Sequence, residues 1–360
     1  MVRFRRGTVA RVTAERPGAV ELEVTIDGES AAAIAYPDLT GAVGPGDHVL
    51  LNSTAVDVGL GTGGWHFVIA VEEPLGPEGT PPGRVTKMRY TPLQTTTSSV
   101  EEAHAEALED SPGLEGIPVV AAPLHSMIGP VAAGAKAAGA ARVVYVMTDG
   151  GALAGAFSRL VATLRGADLL DGFVTAGQAF GGELEAVTLW SALIAAKEIL
   201  EADVIVVADG PGNLGTETTW GVSALASGHA LNAAGILGGR PVGAIRVSFA
   251  DARDRHRGIS HHTITILSKV CLVPATVAVP MLQGEERDRV WSVLRALEPA
   301  APLDLAEADG GTSLRLLHER GIRIESMGRG PEDDPAFFLA AGAAGDVAGR
   351  LAESLTERSP

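Results

Sequence analysis

The feature that most constrains this chain is an alternation that begins near residue 117. Short, continuously apolar runs are separated there by longer segments of helical period. The apolar runs are 117–122, 142–147, 169–175, 203–208, 242–249 and 275–279, with a weaker one at 322–326. A strand without polar alternate positions must be covered on both faces, and parallel strands need a long crossover between them. Segments 128–138, 155–165, 183–201, 219–237, 261–270 and 284–297 supply such crossovers. The pattern predicts an α/β domain, a doubly wound and mostly parallel sheet, over residues 100–330. A C-terminal helix and tail follow at 331–360, with Pro335 opening the helix and Asp334 as its cap.

Upstream the period is different. Segments 8–12 and 20–26 alternate apolar and polar residues, Asp27-Gly28 marks a tight turn, and strand-like segments recur at 30–36, 48–51 and 65–71. Five short strands with Gly-rich turns predict a small β-barrel of SH3-like or OB-like type over residues 1–72. A Pro/Gly-rich connector at 73–83 opens a linker and extended segment reaching residue 99. Aromatics make up 4% of the chain, so the cores must be packed mainly from Ala, Val, Leu and Ile, with close backbone contacts at Gly.

The formal net charge of −16 repels nucleic acid and anionic membrane surfaces, and neither is an expected partner. The single cysteine, Cys271, excludes an intrachain disulfide and a thiolate metal cluster. No signal-peptide pattern and no membrane-length apolar run is visible, so a cytoplasmic location is expected. The small-residue helix 222–234 suits tight subunit packing and suggests a homo-oligomer, a homodimer in the simplest case.

In open α/β sheets, ligands bind beyond the carboxyl ends of the strands. Three strands run there into Asp149, Asp209 and Asp251. Such carboxylates can hold a divalent cation or serve as acid and base; equally, each can accept hydrogen bonds from its own Gly-rich turn. Gly210-Pro-Gly-Asn-Leu-Gly-Thr216 is a literal G-x-G-x-x-G. It sits in a late βα unit, and no acidic residue ends the next strand, so a dinucleotide is disfavoured. A phosphate or carboxylate held by Gly210, Gly212, Gly215 and Thr216 remains open, as does a plain tight turn.

The most informative segment is Arg253-Asp-Arg-His-Arg-Gly-Ile-Ser-His-His-Thr263, three arginines and three histidines in an acidic protein. Arg253, Arg255 and Arg257 offer guanidinium forks for phosphate or carboxylate, and Ser260 caps a helix beginning at His261. Because neighbouring residues diverge around a helix, only one of His261 and His262 is expected to face the same ligand as His256. The competing account is a solvated loop whose acids and arginines pair locally. His125 is a further ligand-facing base, while Ser126 lacks a nucleophile elbow.

These blocks, together with His125-Ser-Met-Ile-Gly-Pro130, Met147-Thr-Asp-Gly-Gly-Ala-Leu153 and Gly177-Gln-Ala-Phe-Gly-Gly182, resemble the bacterial domain-of-unknown-function family 3866 over nearly the whole chain. The resemblance implies one full-length architecture and no particular reaction. The residues themselves lead to the expectation of a hydrolase or group transferase acting on a small anionic metabolite. In that reading His256, His261 or His125 transfers protons, and Asp149 or Asp251 orients a histidine or a divalent metal. A non-catalytic metabolite-binding regulator and an oligomeric scaffold are the alternatives. The whole reading expects the turns after residues 147, 208 and 249 to meet around one hollow.

Overall fold

The computed structural model describes residues 2–59, 63–73, 82–151 and 153–356. The chain forms two compact units, residues 1–98 and 99–360.

In the first unit the strands β1 (Phe4–Arg16), β2 (Ala19–Ile26), β3 (Glu29–Ala35), β4 (His48–Asn52) and β5 (His66–Val71) close into a barrel. Their order is β1-β2-β3-β5-β4, with β4 returning to β1 and a parallel β3/β5 pair. This is the OB-type arrangement, not the SH3-type. Alternate residues fill the interior: Val9, Leu22, Val24, Ala33, Val49, Leu51 and Val68 are buried together. Asp27 and Gly28 both take positive φ, at 51° and 87°, which is what a two-residue hairpin turn demands. A small hairpin, β6 (Val85–Lys87) and β7 (Thr95–Thr97), follows. Residues 60–62 of the expected Gly loop and 74–81 of the expected connector lie outside the described residues.

The second unit is built on eight parallel strands: β8 (Pro118–Ala121), β9 (Val143–Thr148), β10 (Gly172–Ala176), β11 (Leu184–Ala186), β12 (Val204–Asp209), β13 (Arg240–Ala244), β16 (Ala275–Pro280) and β17 (Leu303–Ala308). A two-stranded antiparallel ribbon, β14 (Val247–Ser248) and β15 (Gly258–Ile259), stands outside this sheet. The sheet order is β11-β10-β9-β12-β8-β13-β16-β17. Side chains divide by parity. Val143, Tyr145 and Met147 join one core with helices Ile128–Ala137 and Pro335–Thr356; Val144 and Val146 join another with helices Leu189–Glu198 and Ala226–Ile236. Both faces are covered, as the continuous apolar runs require. Helices Ile128–Ala137 and Pro335–Thr356 touch backbone to backbone. A Cβ on Gly345 would collide with the Val131 carbonyl, and one on Gly134 with the Gly342 carbonyl. Among the described residues, no helix is long and apolar enough to cross a membrane.

Some element assignments differ from expectation. Residues 322–326 form no strand; Ile322 and Ile324 plug into the core from an irregular segment. The edge strand is instead β17, whose Leu-Asp-Leu-Ala-Glu-Ala pattern reads as polar because the face of an edge strand is partly wet. Residues 184–186, expected as helix, pair with β10, and the helix begins only at Leu189 behind a Thr188 capping box.

The strand order also fixes where clefts open. β9 exits toward β10 while its neighbour β12 exits across β8 to β13; β8 exits toward β9 while its other neighbour β13 exits toward β16. Two topological switch points result, at β9/β12 and at β8/β13.

Candidate functional site

Beyond β13 the chain keeps its direction to Arg246, then enters the β14/β15 ribbon, which pairs Val247 with Ile259 and Ser248 with Gly258. The ribbon closes the base of the loop 249–257 and so brings His256 beside the start of the next helix. Two further bonds pin that base: Ser260 N–H to the Arg246 carbonyl at 3.0 Å, and Arg246 N–H to Thr263 Oγ1 at 3.2 Å. Ser260 caps helix His261–Thr265 by accepting from His262 N–H, and its hydroxyl also meets His256 Nδ1 at 2.8 Å. One serine thus orders both the helix end and the first imidazole.

The rings of His256, His261 and His262 converge. Their centroids are 5.1, 5.5 and 3.8 Å apart, and one nitrogen from each ring lies within 4.8 Å of the others. The expectation that only one of His261 and His262 would face His256 is therefore corrected. Both occupy the first turn, where side chains lean toward the helix N-terminus, so both reach back over Ser260. Burial, with nearby guanidinium groups, lowers the pKa of His256 to about 3 and that of His262 to about 4; His261 is lowered for the same reasons. All three are neutral at pH 7.

Around them stands a cluster of charge. Buried Asp251 accepts from Arg246 Nη2 at 3.0 Å and from Arg253 Nη2 at 2.8 Å and Nε at 2.9 Å, with Arg329 Nη2 at 3.9 Å. These bonds, led by Arg253, hold its carboxyl well below the usual range. Arg329 also faces Asp334 at 3.4 Å, and Asp334 accepts from Ser248 Oγ at 2.6 Å. Arg255 pairs with Glu217 at 3.0 Å, and the backbone of Thr216 stands near the His262 ring. Desolvation brings Arg246 down to about 10, so it stays cationic at neutral pH.

Among the described residues, twelve buried side-chain polar atoms have no hydrogen-bond partner, and six belong to this one cluster: Arg246 Nε, Arg255 Nε, Arg329 Nε and Nη2, His261 Nε2 and His262 Nδ1. Two of these, Nε and Nη2 of Arg329, still face the Asp334 and Asp251 carboxylates at 3.4 and 3.9 Å. Folded proteins bond such atoms as a rule, so their gathering here makes this the candidate binding site. The four guanidinium atoms can only donate, which suits an oxyanion. Imidazole nitrogens also suit a transition metal, and His256, His261 and His262 are the residues that could hold one.

A second group sits at the β9/β12 switch point. Buried His125 sets Nε2 2.7 Å from Ser158 Oγ and Nδ1 3.3 Å from the Tyr145 hydroxyl, which reaches the Ala208 carbonyl at 3.2 Å. Burial lowers its pKa to about 4. Asp209 accepts from Thr148 Oγ1; burial raises its pKa, and the neighbouring Asp149 adds to the rise. Asp149 is exposed and accepts from Gln178 N–H at 3.3 Å. It lines a cleft of about 580 Å³ with Gly177, Trp190 and His229.

The residues singled out from sequence are gathered in two contact groups, joined by the 210–216 loop. His256, His261, Asp251, Arg253, Arg255, Ser260 and Thr216 come together, with Gly215 against His262. His125 and Asp149 stand with Asp209, and Gly210 packs there on Met147 and Leu153. Gly212, at φ 101°, turns the connecting loop, and Arg257 is exposed. The Gly-rich loop does not lead into a helix. Thr216 N–H bonds the Gly221 carbonyl and Leu214 N–H bonds Ser223 Oγ, so the loop folds back as a hairpin and the helix waits until Ala226. Its amides are therefore partly spent on itself. Sequence reasoning missed Arg246, Arg329, Asp334, Tyr145 and Ser158. Arg246 carried a signal, a lone charge inside the apolar run 242–249; Arg329 and Asp334 carried none, because they reach the site from a distant irregular segment.

No curated protein matches the chain. One family model does, over residues 32–345, so that it takes in part of the barrel and nearly all of the α/β unit with both residue groups. The chain belongs to the family described as protein of unknown function, DUF3866.

Proposed function

We propose that this protein is an enzyme, a hydrolase or group transferase, that acts on a small phosphorylated or carboxylated metabolite bound by the Arg246–Arg255–Arg329 wall beside the three imidazoles. The observation that carries this reading is the set of six buried nitrogens without a hydrogen bond, four of them on guanidinium groups. A phosphate or carboxylate satisfies several at once through charge-assisted bonds. Asp251, already saturated by arginines, serves as the internal counter-ion of the arginine wall and not as a proton carrier.

An anion among these rings favours their protonated forms and raises pKa values that burial and arginine now hold down. The rings then enter the range useful for proton transfer. In such a reaction His261 takes a proton from a water or an acceptor hydroxyl. The freed oxygen bonds to phosphorus or to the acyl carbon, the bond to the leaving oxygen breaks, and that oxygen receives the proton. The test is turnover of a panel of phosphate monoesters and carboxylate esters by the wild type and by His261→Ala. Turnover with an imidazole-limited pH profile, lost in the variant, supports the proposal. Undiminished turnover in the variant removes His261 from the mechanism. Tight binding with no turnover of any substrate turns the assignment to a metabolite-sensing regulator.

A further inference from the structure

We propose that His256, His261 and His262 together hold one transition-metal dication of the zinc class, leaving a coordination position open toward the arginine wall. The metal takes the same pocket as the anion, and with it bound His261 is a ligand and not a proton acceptor; only the identity of the remaining ligand rests on the reading above.

Three observations carry the inference. One nitrogen from each ring already lies within 4.8 Å of the others. Three ligands at about 2.0–2.1 Å around a tetrahedral centre sit roughly 3.4 Å apart, so small ring rotations complete the set. One ring also has the kind of partner that metal-bound histidines use: His256 Nδ1 lies 2.8 Å from Ser260 Oγ. Such a second contact orients the ring and aims its other nitrogen.

The third observation is the pair of ring nitrogens, Nε2 of His261 and Nδ1 of His262, that are buried without a hydrogen bond. A ring nitrogen that carries no proton is a lone pair, which a Lewis acid satisfies and an oxyanion does not. The nearby carboxylates do not compete as ligands, since Asp251 and Asp334 are engaged by Arg246, Arg253, Arg329 and Ser248. Three neutral nitrogens leave the full charge of the ion uncompensated beside cationic guanidinium groups. An anionic fourth ligand that touches both resolves this, and metal and anion then bind cooperatively.

The experiment is a Co²⁺ titration of the chelator-stripped full chain, read by the visible absorption of four-coordinate cobalt. Expected are one equivalent bound by the wild type, at least tenfold weaker uptake in His262→Ala and in His256→Gln, and no change in His318→Ala, which alters an exposed histidine outside both residue groups. Circular dichroism confirms that each variant is folded; should His262→Ala fail to fold, His256→Gln decides. No stoichiometric uptake, or equal uptake in the folded cluster variants, overturns the inference. In parallel, inorganic phosphate is tested by thermal shift in the presence of chelator. A phosphate shift without cobalt uptake leaves the anion reading standing and the metal refuted; cobalt uptake without any phosphate shift does the reverse.

Discussion

Replacing Asp251 by Asn tests the charge logic of the site most directly. The carboxylate is 5% exposed and is the nearest acid to Arg246, which is itself buried. Asn retains the shape and a carbonyl for the Arg253 N–H now bonded at 3.0 Å, but removes the charge. Breaking a buried pair from one side costs about 3–5 kcal/mol. Arg253 is half exposed and screened, so the cost falls mainly on Arg246, and the low end of that range, about 3 kcal/mol, is expected. For a unit of this size that lowers Tm by roughly 6–12 °C. The same change should strengthen anion binding, because the pocket loses its competing negative charge. Like charges at an effective dielectric near 20 repel by about 4 kcal/mol at 4 Å and less in inverse proportion to distance, so a gain of about 2 kcal/mol, or roughly thirtyfold in Kd, is expected. Thermal denaturation across a phosphate series therefore gives a variant less stable than wild type without phosphate but more strongly stabilised by it. Equal stability in buffer, or a phosphate dependence no steeper than that of wild type, would refute the reasoning.

Other outcomes follow from the same geometry. His125 has a folded pKa of about 4 against about 6.5 unfolded, so its neutral form is favoured by folding. That contribution is complete above the unfolded value and is lost as pH falls from about 6.5 toward 4. Urea denaturation at pH 7 and pH 4.5 should show His125→Gln losing about 2–3 kcal/mol less than wild type over that interval, and an unchanged difference counts against it. Arg329→Met should weaken phosphate binding about tenfold in titration calorimetry, as loss of one charge-assisted contact implies; an unaltered Kd would take Arg329 out of the anion wall. Gly345→Ala should cost about 3 kcal/mol or more, because its methyl group meets the Val131 carbonyl; a wild-type Tm would mean that the two helices can separate without penalty.

The central sheet was legible because burial on both faces leaves no polar alternation, as in Val143–Thr148 and Val204–Asp209. The edge strand Leu303–Ala308 was not, since a half-wet strand shares its pattern with a loop or a helix. The loop at 253–263 announced itself by its density of Arg and His. Its convergence did not, because that depends on where a two-residue ribbon closes and on the first turn of one helix. Arg246 was visible as a charge within an apolar run but was absorbed into the strand. Arg329 and Asp334 join the cluster only through tertiary packing, for which a single chain of letters has no local mark. The Gly210–Thr216 pattern misled in the opposite sense: its glycines serve a hairpin, and the helix they seemed to announce lies further on.

Arg329 and Asp334 stand just before the helix Pro335–Thr356, which packs against the sheet and against helix Ile128–Ala137. A ribosome delivers this stretch after every strand of the sheet. Until it arrives, Arg246 and Asp251 lack their last two ionic neighbours and one apolar face is bare. The charge network around Asp251 is therefore assembled last, by the same stretch of chain that seals the sheet.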